Sequence, residues 1–219
     1  MRRAALVVAT IAVLLGGGVL VARQAGDDAP RQKPRLALIS SLPLLFGEQF
    51  GLDTPRPPAM ETIEARYTII PLAVADAASL KGFSQLLMAH PRAQPADVLV
   101  ELDAWVRAGG RVVLLADPRL KWESRRPLGD PLRPPPDFAD TGLLAHWGVR
   151  LGVDEEGEGV LRATSAACTV GSGALLAECR VGRGTARIIA DADFMLSDDE
   201  GGARRLDLLL AQLAAGDSR

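Results

Sequence analysis

Cysteine and histidine are scarce in this chain of 219 residues, which contains two of each. A structural zinc ion needs four such ligands at short, regular spacings. Neither Cys168 and Cys179 nor His90 and His146 are spaced in that way, and the chain contains no C-x-x-C motif. The sequence therefore predicts no zinc site and no other bound metal.

An excess of basic residues is also missing. The 25 Lys and Arg are balanced by 27 Asp and Glu, and they are scattered along the chain. Proteins that bind DNA or RNA concentrate positive charge on one surface or segment. We therefore expect no nucleic-acid partner.

Motifs that cradle phosphates or activate a nucleophile are absent as well. The sequence has no G-x-x-x-x-G-K-[ST] and no G-x-G-x-x-G after a strand, so nucleotide binding by this chain is not expected. It also lacks the G-x-S-x-G elbow that exposes a serine in α/β hydrolases. The sequence thus predicts no cofactor and favours a protein that is not an enzyme.

The N-terminus carries the longest apolar stretch of the chain. Residues 4–22 contain no charge and are long enough to nearly cross a bilayer core of about 30 Å. Arg2 and Arg3 precede them, which favours a cytoplasmic N-terminus and an exported domain, although four basic residues at 23–35 weaken the charge asymmetry. We predict an anchor over 1–23, a linker over 24–34 and a domain over 35–216. A signal peptide cleaved after Leu20-Val21-Ala22 is the alternative.

Export bears on the two cysteines, because an oxidising compartment would let Cys168 and Cys179 pair. A hairpin turning at Gly171-Ser172-Gly173 would place residue 168 opposite about 176, however, and residue 179 out of register. The sequence leaves this disulfide open.

Hydrophobic patterns predict an α/β fold with a parallel-rich sheet flanked by helices. A strand over 85–89, a helix over 95–108 stopped by Gly109-Gly110, and a strand over 111–116 form a βαβ unit, which requires parallel strands. Further strands are predicted over 35–40, 67–72, 160–170, 174–181 and 185–190. Residues 121–140 carry five prolines and predict an exposed loop, followed by a short helix over 141–147. Ser197 and Glu200 have capping-box spacing before a C-terminal leucine helix.

Two segments resemble a known family. LLMAHP followed by a helix and WVRAGGRVVLLADP, and later GRGTARIIADADF before the leucine helix, are similar to auxiliary components of gliding-motility-type ABC transport systems and related membrane-anchored domains. The resemblance implies a fold like that of class I glutamine amidotransferases. It also implies partnership with ABC-type permease and ATPase subunits, in which a partner supplies the second membrane span that family members often carry.

Candidate site residues follow the predicted parallel strands, because ligands of open α/β sheets bind at the carboxyl ends of the strands. Amidotransferases keep a cysteine in the turn after the third strand, whereas this chain has His90-Pro91-Arg92. We interpret Asp117 mainly as a carboxylate that fixes its turn. Trp122, in the proline-rich segment, either docks a partner or folds back over the sheet. The candidate residues at these strand ends are Ser40, Ser41, His90, Asp117, Asp191 and Asp193.

These features favour a non-catalytic, membrane-anchored accessory or scaffold domain of an ABC-type transport system. The location expected is the bacterial inner membrane, with a single span and the domain in the periplasm. Two alternatives use the strand-end cleft: a degenerate hydrolase with Ser40 or Ser41 as nucleophile and His90 as base, or a sensor of a small ligand.

Overall fold

Nine strands and four α-helices follow one another in the computed structural model, which describes residues 32–48, 57–197 and 200–215. The strands are β1 (Arg35–Ser40), β2 (Thr68–Pro71), β3 (Gln85–Ala89), β4 (Arg111–Leu115), β5 (Val149–Val153), β6 (Gly159–Ala163), β7 (Cys168–Val170), β8 (Leu176–Val181) and β9 (Gly184–Ile189). The helices are α1 (Pro58–Arg66), α2 (Ala96–Arg107), α3 (Leu143–Trp147) and α4 (Glu200–Ala214), with a 3₁₀ turn at Asp193–Met195.

Seven strands form the main sheet, in the order β2-β1-β3-β4-β9-β8-β7. The first five run parallel, and β8 and β7 extend the sheet as antiparallel strands. The predicted α/β architecture with a largely parallel sheet flanked by helices is therefore confirmed. From β1 the chain passes to β2 on one side and then to β3 on the other, so the strand order reverses between β1 and β3. Open α/β sheets bind ligands at such a switch point.

Successive side chains of the parallel strands point to opposite faces of the sheet, and a hydrophobic core lies on each face. Ala37 and Ile39 of β1 lie in the core covered by α2 and α3. Leu36 and Leu38 lie in the opposite core, which α1 and α4 cover. Because both faces are buried, the central strands are apolar throughout, and the sequence identified them for that reason.

The crossover helix α2 is positioned by the residues at its two ends. Pro95 precedes it, and Gly109 follows it with a φ of +118°, a conformation that disfavours side chains. Beyond it, β9 begins at Gly184, where a Cβ atom would come within 2.1 Å of the Val106 carbonyl oxygen. Glycine at 184 therefore allows the helix to approach the sheet directly.

Some predicted elements were wrong. The helix α1 was missed, because the prolines before it indicated only a loop. The single strand predicted over 160–170 is divided into β6 and β7, and β6 pairs with the unpredicted β5 in a separate two-stranded sheet. Both corrections concern segments of weak hydrophobic periodicity, where partners distant in sequence decide the conformation.

Cys168 and Cys179 form a disulfide bond. The two residues face each other across β7 and β8, so the predicted register, which separated them, is wrong. The turn at Gly171-Ser172-Gly173 is part of a longer connection that ends only at β8, and this length shifts the pairing.

No helix among the described residues is long and apolar enough to cross a membrane. The predicted anchor over 1–23 and most of the predicted linker over 24–34 lie outside the described residues.

Candidate functional site at the carboxyl edge of the sheet

Neighbouring strands bring the predicted site residues together. In the sheet order β1, β3, β4, β9, the carboxyl ends are followed by Ser40-Ser41, His90, Asp117 and Asp191. Each of these strands is parallel to its neighbour, so all four ends lie at one edge. The sequence prediction of a shared carboxyl edge is thus fulfilled, and the contacts of each side chain determine what the edge can do.

Both serine hydroxyls are hydrogen-bonded to main-chain carbonyl groups. Ser40 Oγ lies 3.0 Å from the carbonyl oxygen of Ala89 and accepts a 2.9 Å hydrogen bond from the Leu42 amide. Ser41 Oγ donates to the main-chain carbonyl of His90. The hydroxyls therefore tie the end of β1 to the end of β3, and neither one bonds to the His90 ring.

His90 is fully buried and has a left-handed backbone, with a φ of +47°. Its Nε2 lies 2.9 Å from the carbonyl oxygen of Pro135. A carbonyl can only accept, so Nε2 carries the proton and Nδ1 is the unprotonated nitrogen. Among the described residues, Nδ1 has no hydrogen-bond partner. Burial lowers the pKa of His90 below its ordinary value, and the ring is neutral near pH 7.

Asp117 joins three segments. Its Oδ1 accepts a 2.8 Å hydrogen bond from the Arg119 amide, and its Oδ2 accepts one of 2.9 Å from the Ala192 amide. Its own main-chain carbonyl accepts from the Phe138 amide at 2.8 Å. The carboxylate thus holds the ends of β4 and β9 together, as the sequence interpretation of a turn-fixing aspartate predicted.

Asp191 is an aspartate whose environment disfavours its charge. Its Oδ1 accepts from the Asp193 amide at 2.9 Å, and its Oδ2 lies 2.6 Å from Arg205 Nε. Burial raises the pKa of Asp191 to about 6, against the opposing effect of Arg205, and the nearby charge of Asp117 raises it further. Sequence reasoning did not identify Arg205, because nothing in the pattern of α4 relates it to β9.

Asp193 completes an acidic cluster with Asp117 and Asp191. Carboxylate oxygens of the three residues lie within 4.8 Å of one another. Asp193 Oδ1 accepts from the Lys121 amide at 2.8 Å, and burial raises the pKa of Asp193. Since each carboxylate is already bonded to a main-chain amide, the cluster joins the loops of this edge.

Residues 121–140 were predicted as an exposed loop, and that description needs correction. Although many of its side chains are exposed, Pro134 is buried, and the segment is bound to the residues that precede it. The Pro136 carbonyl accepts a hydrogen bond from the Leu120 amide, and the Phe138 amide donates one to the Asp117 carbonyl beyond the end of β4. Trp122 is half-buried and lines a cavity of about 400 Å³ with Lys121, Asp193 and Arg205. The segment folds back over the carboxyl edge of the sheet. This is the second of the two alternatives that the sequence left open for Trp122.

A groove of about 360 Å³ lies between the end of β1 and this proline-rich segment. Sequence reasoning missed it, because its parts are separated in the chain. Glu48 joins its two sides, since its main-chain carbonyl accepts a 2.7 Å hydrogen bond from Arg126 Nη2. Two side chains that line the groove are exposed to solvent, Phe46 at 82% and Leu132 at 58%.

Comparison with known proteins gives a likeness of fold. No protein-family model matches the chain, and no curated protein matches it. Among solved structures, the mmIFT52 N-terminal domain is 15% identical, with a TM-score of 0.54 over 85% of this chain and 100% of that domain. At this identity the similarity concerns the fold alone.

Several glycosidases are also among the solved structures that match the chain. An exo-β-1,4-mannosidase from Opitutaceae bacterium strain TAV5 is 12% identical, with a TM-score of 0.43 over 84% of this chain and 35% of the enzyme. A β-galactosidase from Rahnella sp. R3 is 14% identical, with a TM-score of 0.45 over 84% of this chain and 32% of the enzyme. The chain thus spans about a third of these enzymes, and likenesses this distant carry no functional conclusion.

Proposed function

We propose that this protein is a non-catalytic, membrane-anchored extracytoplasmic accessory or scaffold domain of an ABC-type transport system. Its fold, in this proposal, is of the class I glutamine amidotransferase type, and its location is the bacterial inner membrane. The protein acts by contact with transporter subunits, and its carboxyl edge presents the contact surface.

The observation that carries the proposal is the bonding of the potentially reactive side chains. Ser40, Ser41 and the His90 ring all form hydrogen bonds with main-chain carbonyls of neighbouring segments. A serine nucleophile requires its hydroxyl to bond to a base, and that pair is not formed here. These groups therefore stabilise the loops of the carboxyl edge.

The turn after β3 supports the same conclusion. Amidotransferases keep their nucleophile in the corresponding turn, and in this chain the residue there is His90, with a φ of +47°. The backbone bends sharply, as an elbow for a nucleophile does, yet the side chain is a buried imidazole bound to Pro135. A sharp turn without a thiol or hydroxyl is suited to structure rather than to catalysis.

Export is supported by two separate features. Residues 4–22 carry no charge and fit a membrane segment. Cys168 and Cys179 are joined by a disulfide, and stable disulfides belong to oxidising compartments such as the periplasm.

The groove beside the proline-rich segment supplies a contact surface. Phe46 and Leu132 expose large apolar side chains at its rim, and the hydrogen bonds of Glu48 fix the two sides relative to each other. Aromatic and aliphatic side chains on a pre-organised surface are typical anchors of protein interfaces. An extracytoplasmic domain reaches the permease subunit directly and the ATPase only through it, so we assign the groove to the permease.

Affinity purification of the full chain from native membranes in a mild detergent tests the proposal. We expect an ABC-type permease and its ATPase to be recovered with the protein in stoichiometric amounts. Changing Phe46→Ser together with Leu132→Ser should reduce their recovery at least tenfold, because the apolar anchors are lost. Val100→Ser is the matched control, since Val100 is 70% exposed on helix α2, none of whose residues lines the groove.

Wild-type protein recovered without transporter subunits would contradict the proposal. So would a hydrolase activity that disappears in His90→Ala, because the ring would then serve as a base.

A further inference from the structure

A second cleft, of about 610 Å³, lies at the amino-terminal edge of the sheet, opposite the candidate site. We call it the arginine cleft. The residues that matter for its chemistry are Arg111, Arg180, Arg183, Arg187, Thr185 and Glu178. They come from β4, β8, β9 and the turn between β8 and β9, and nothing in the proposed function uses them.

Strand register places the cleft on one face of the sheet. Arg111 of β4 pairs with Thr185 of β9, and Thr185 pairs with Arg180 of β8, so the three side chains form a row across three strands. The next row pairs Arg187 with Glu178. Farther along the same face, apolar residues pack under α4, and the face becomes polar only where this helix ends.

Positive charge in the cleft is only partly compensated. Arg187 Nε lies 2.9 Å from Glu178 Oε2, which is the one carboxylate lining the cleft among the described residues. Arg183 donates a 3.0 Å hydrogen bond to the carbonyl oxygen of Ala108 and keeps its full charge. Within the described part of the chain, Arg111 and Arg180 form no ion pair. Among the described residues, three guanidinium groups therefore remain without a counter-charge.

Two buried polar atoms in this cleft have no hydrogen-bond partner among the described residues. They are Arg111 Nε and Thr185 Oγ1, and they belong to residues that face each other across β4 and β9. Buried polar groups are nearly always satisfied, and leaving one unsatisfied costs about 1–3 kcal/mol. Arg111 Nε can only donate and the Thr185 hydroxyl can donate as well, so one acceptor group would satisfy both atoms. The surrounding positive charge favours an anionic acceptor.

We propose that the arginine cleft binds the phosphate group of a phosphorylated ligand. Arg111 and Thr185 donate to its oxygens, and Arg180 adds charge from the neighbouring strand. Phosphate fits better than a carboxylate because it offers several acceptor oxygens to a planar guanidinium and to a hydroxyl at once. The ligand is either a soluble phosphate compound or the headgroup of an anionic phospholipid, and the two sources share this chemistry.

Isothermal titration of the full chain in a neutral detergent tests the inference. The probes are inorganic phosphate, glycerol phosphate, and mixed micelles that contain phosphatidylglycerol. We expect saturable binding of one phosphate group for each chain. Arg180→Gln should weaken it at least tenfold, and since Arg180 is exposed, this variant should fold normally. Arg150→Gln, an exposed arginine in β5, is the charge-matched control and should bind as wild type does.

Thr185→Val provides a readout that a purely structural role would not give. Removing a buried hydroxyl without a partner should leave the melting temperature of the ligand-free protein unchanged or raise it. The same change should weaken phosphate binding at least tenfold. Loss of stability in Thr185→Val with unchanged binding would overturn the inference.

The remaining outcomes either distinguish a soluble phosphate ligand from a lipid headgroup or reject the binding site. Binding of soluble phosphate that depends on Arg180 assigns a soluble ligand, and binding only to phosphatidylglycerol micelles with the same dependence assigns a lipid headgroup. Absence of binding to all three probes rejects the proposal.

A further control concerns Asp217, an acidic residue close in sequence to Ala215, which lines the cleft. Asp217 lies outside the described residues, so Asp217→Asn is measured in parallel. Binding that occurs only in Asp217→Asn would mean that the chain fills its own cleft, and it would also reject the proposal.

Discussion

Single residues at the carboxyl edge derive their properties from burial and from bonds to the main chain. Asp191 illustrates the balance, because a 2.6 Å contact with Arg205 does not offset the cost of burying its charge. The pKa of Asp191 is therefore raised to about 6, whereas the pKa of an ordinary aspartate is 3.8. Its ionisation consequently works against folding near neutral pH.

The pH dependence of stability tests this account of Asp191. Between about pH 4 and pH 6 the folded protein retains a proton that the unfolded chain has released, so the contribution of Asp191 to stability falls as pH rises through this window. A folded-state pKa of about 6 in place of 3.8 corresponds to about 3 kcal/mol. Asp191→Asn cannot ionise, so its unfolding free energy relative to wild type should rise by roughly that amount from pH 4 to pH 7.

Urea denaturation of the full chain at a series of pH values provides the measurement. Asp207→Asn removes an exposed carboxylate from α4 and serves as the control, with a difference from wild type that should stay nearly constant. A pH-independent difference for Asp191→Asn would contradict the raised pKa.

At the scale of elements, the proline-rich segment 121–140 is the part of the edge that the sequence described least well. Its composition indicated an exposed loop. The structure binds it through His90 and Pro135, through Phe138 and Asp117, and through Glu48 and Arg126. These contacts join residues 21 to 78 positions apart and all involve main-chain atoms. Neither property is visible in hydrophobic periodicity.

The hydrogen bond between His90 and Pro135 should control how tightly this segment is held. His90→Ala removes the only described donor to the Pro135 carbonyl and leaves a cavity, so the segment should open more often. We expect amide hydrogen exchange at Leu120 and Phe138, both bonded at the ends of the segment, to become about tenfold faster, in line with the loss of one hydrogen bond.

The matched control for this experiment is His146→Ala. His146 is the second histidine of the chain, and its side chain is 56% exposed on α3. The substitution His146→Ala should leave hydrogen exchange at the Leu120 and Phe138 amides unchanged. Equal exchange in His90→Ala and wild type would show that the imidazole does not hold the segment.

Other elements were predictable in proportion to their burial. β1 and β3 are predicted with the bounds that the structure gives, because strands covered on both faces are continuous apolar runs. β5 was not predicted, and β6 was predicted only as the first part of a longer strand, because the two form a small separate sheet with an exposed face. The register of β7 and β8 depends on the length of the connection between Val170 and Leu176, which the turn residues did not reveal. The sequence therefore left the Cys168–Cys179 bond open.

For the whole molecule, the α/β architecture with a largely parallel sheet was predictable from the sequence, and the use of the sheet's edges was not. The pattern of strands indicated that Ser40, His90, Asp117 and Asp191 would share one edge, and they do. Which of them bond to carbonyls, to amides or to Arg205 depends on loops and on α4, which return to the edge from distant parts of the chain. The proposed role as a contact module depends on those bonds.

Site-specific photocrosslinking in native membranes tests this central claim most directly. A benzophenone amino acid would replace Phe46 at the groove in one full-length variant and Val100 on α2 in another. The proposed function predicts a crosslink from position 46 to an ABC-type permease subunit, and none to that subunit from position 100. Absence of the permease crosslink at position 46, or equal yields from both positions, would contradict the claim that this edge acts by contact.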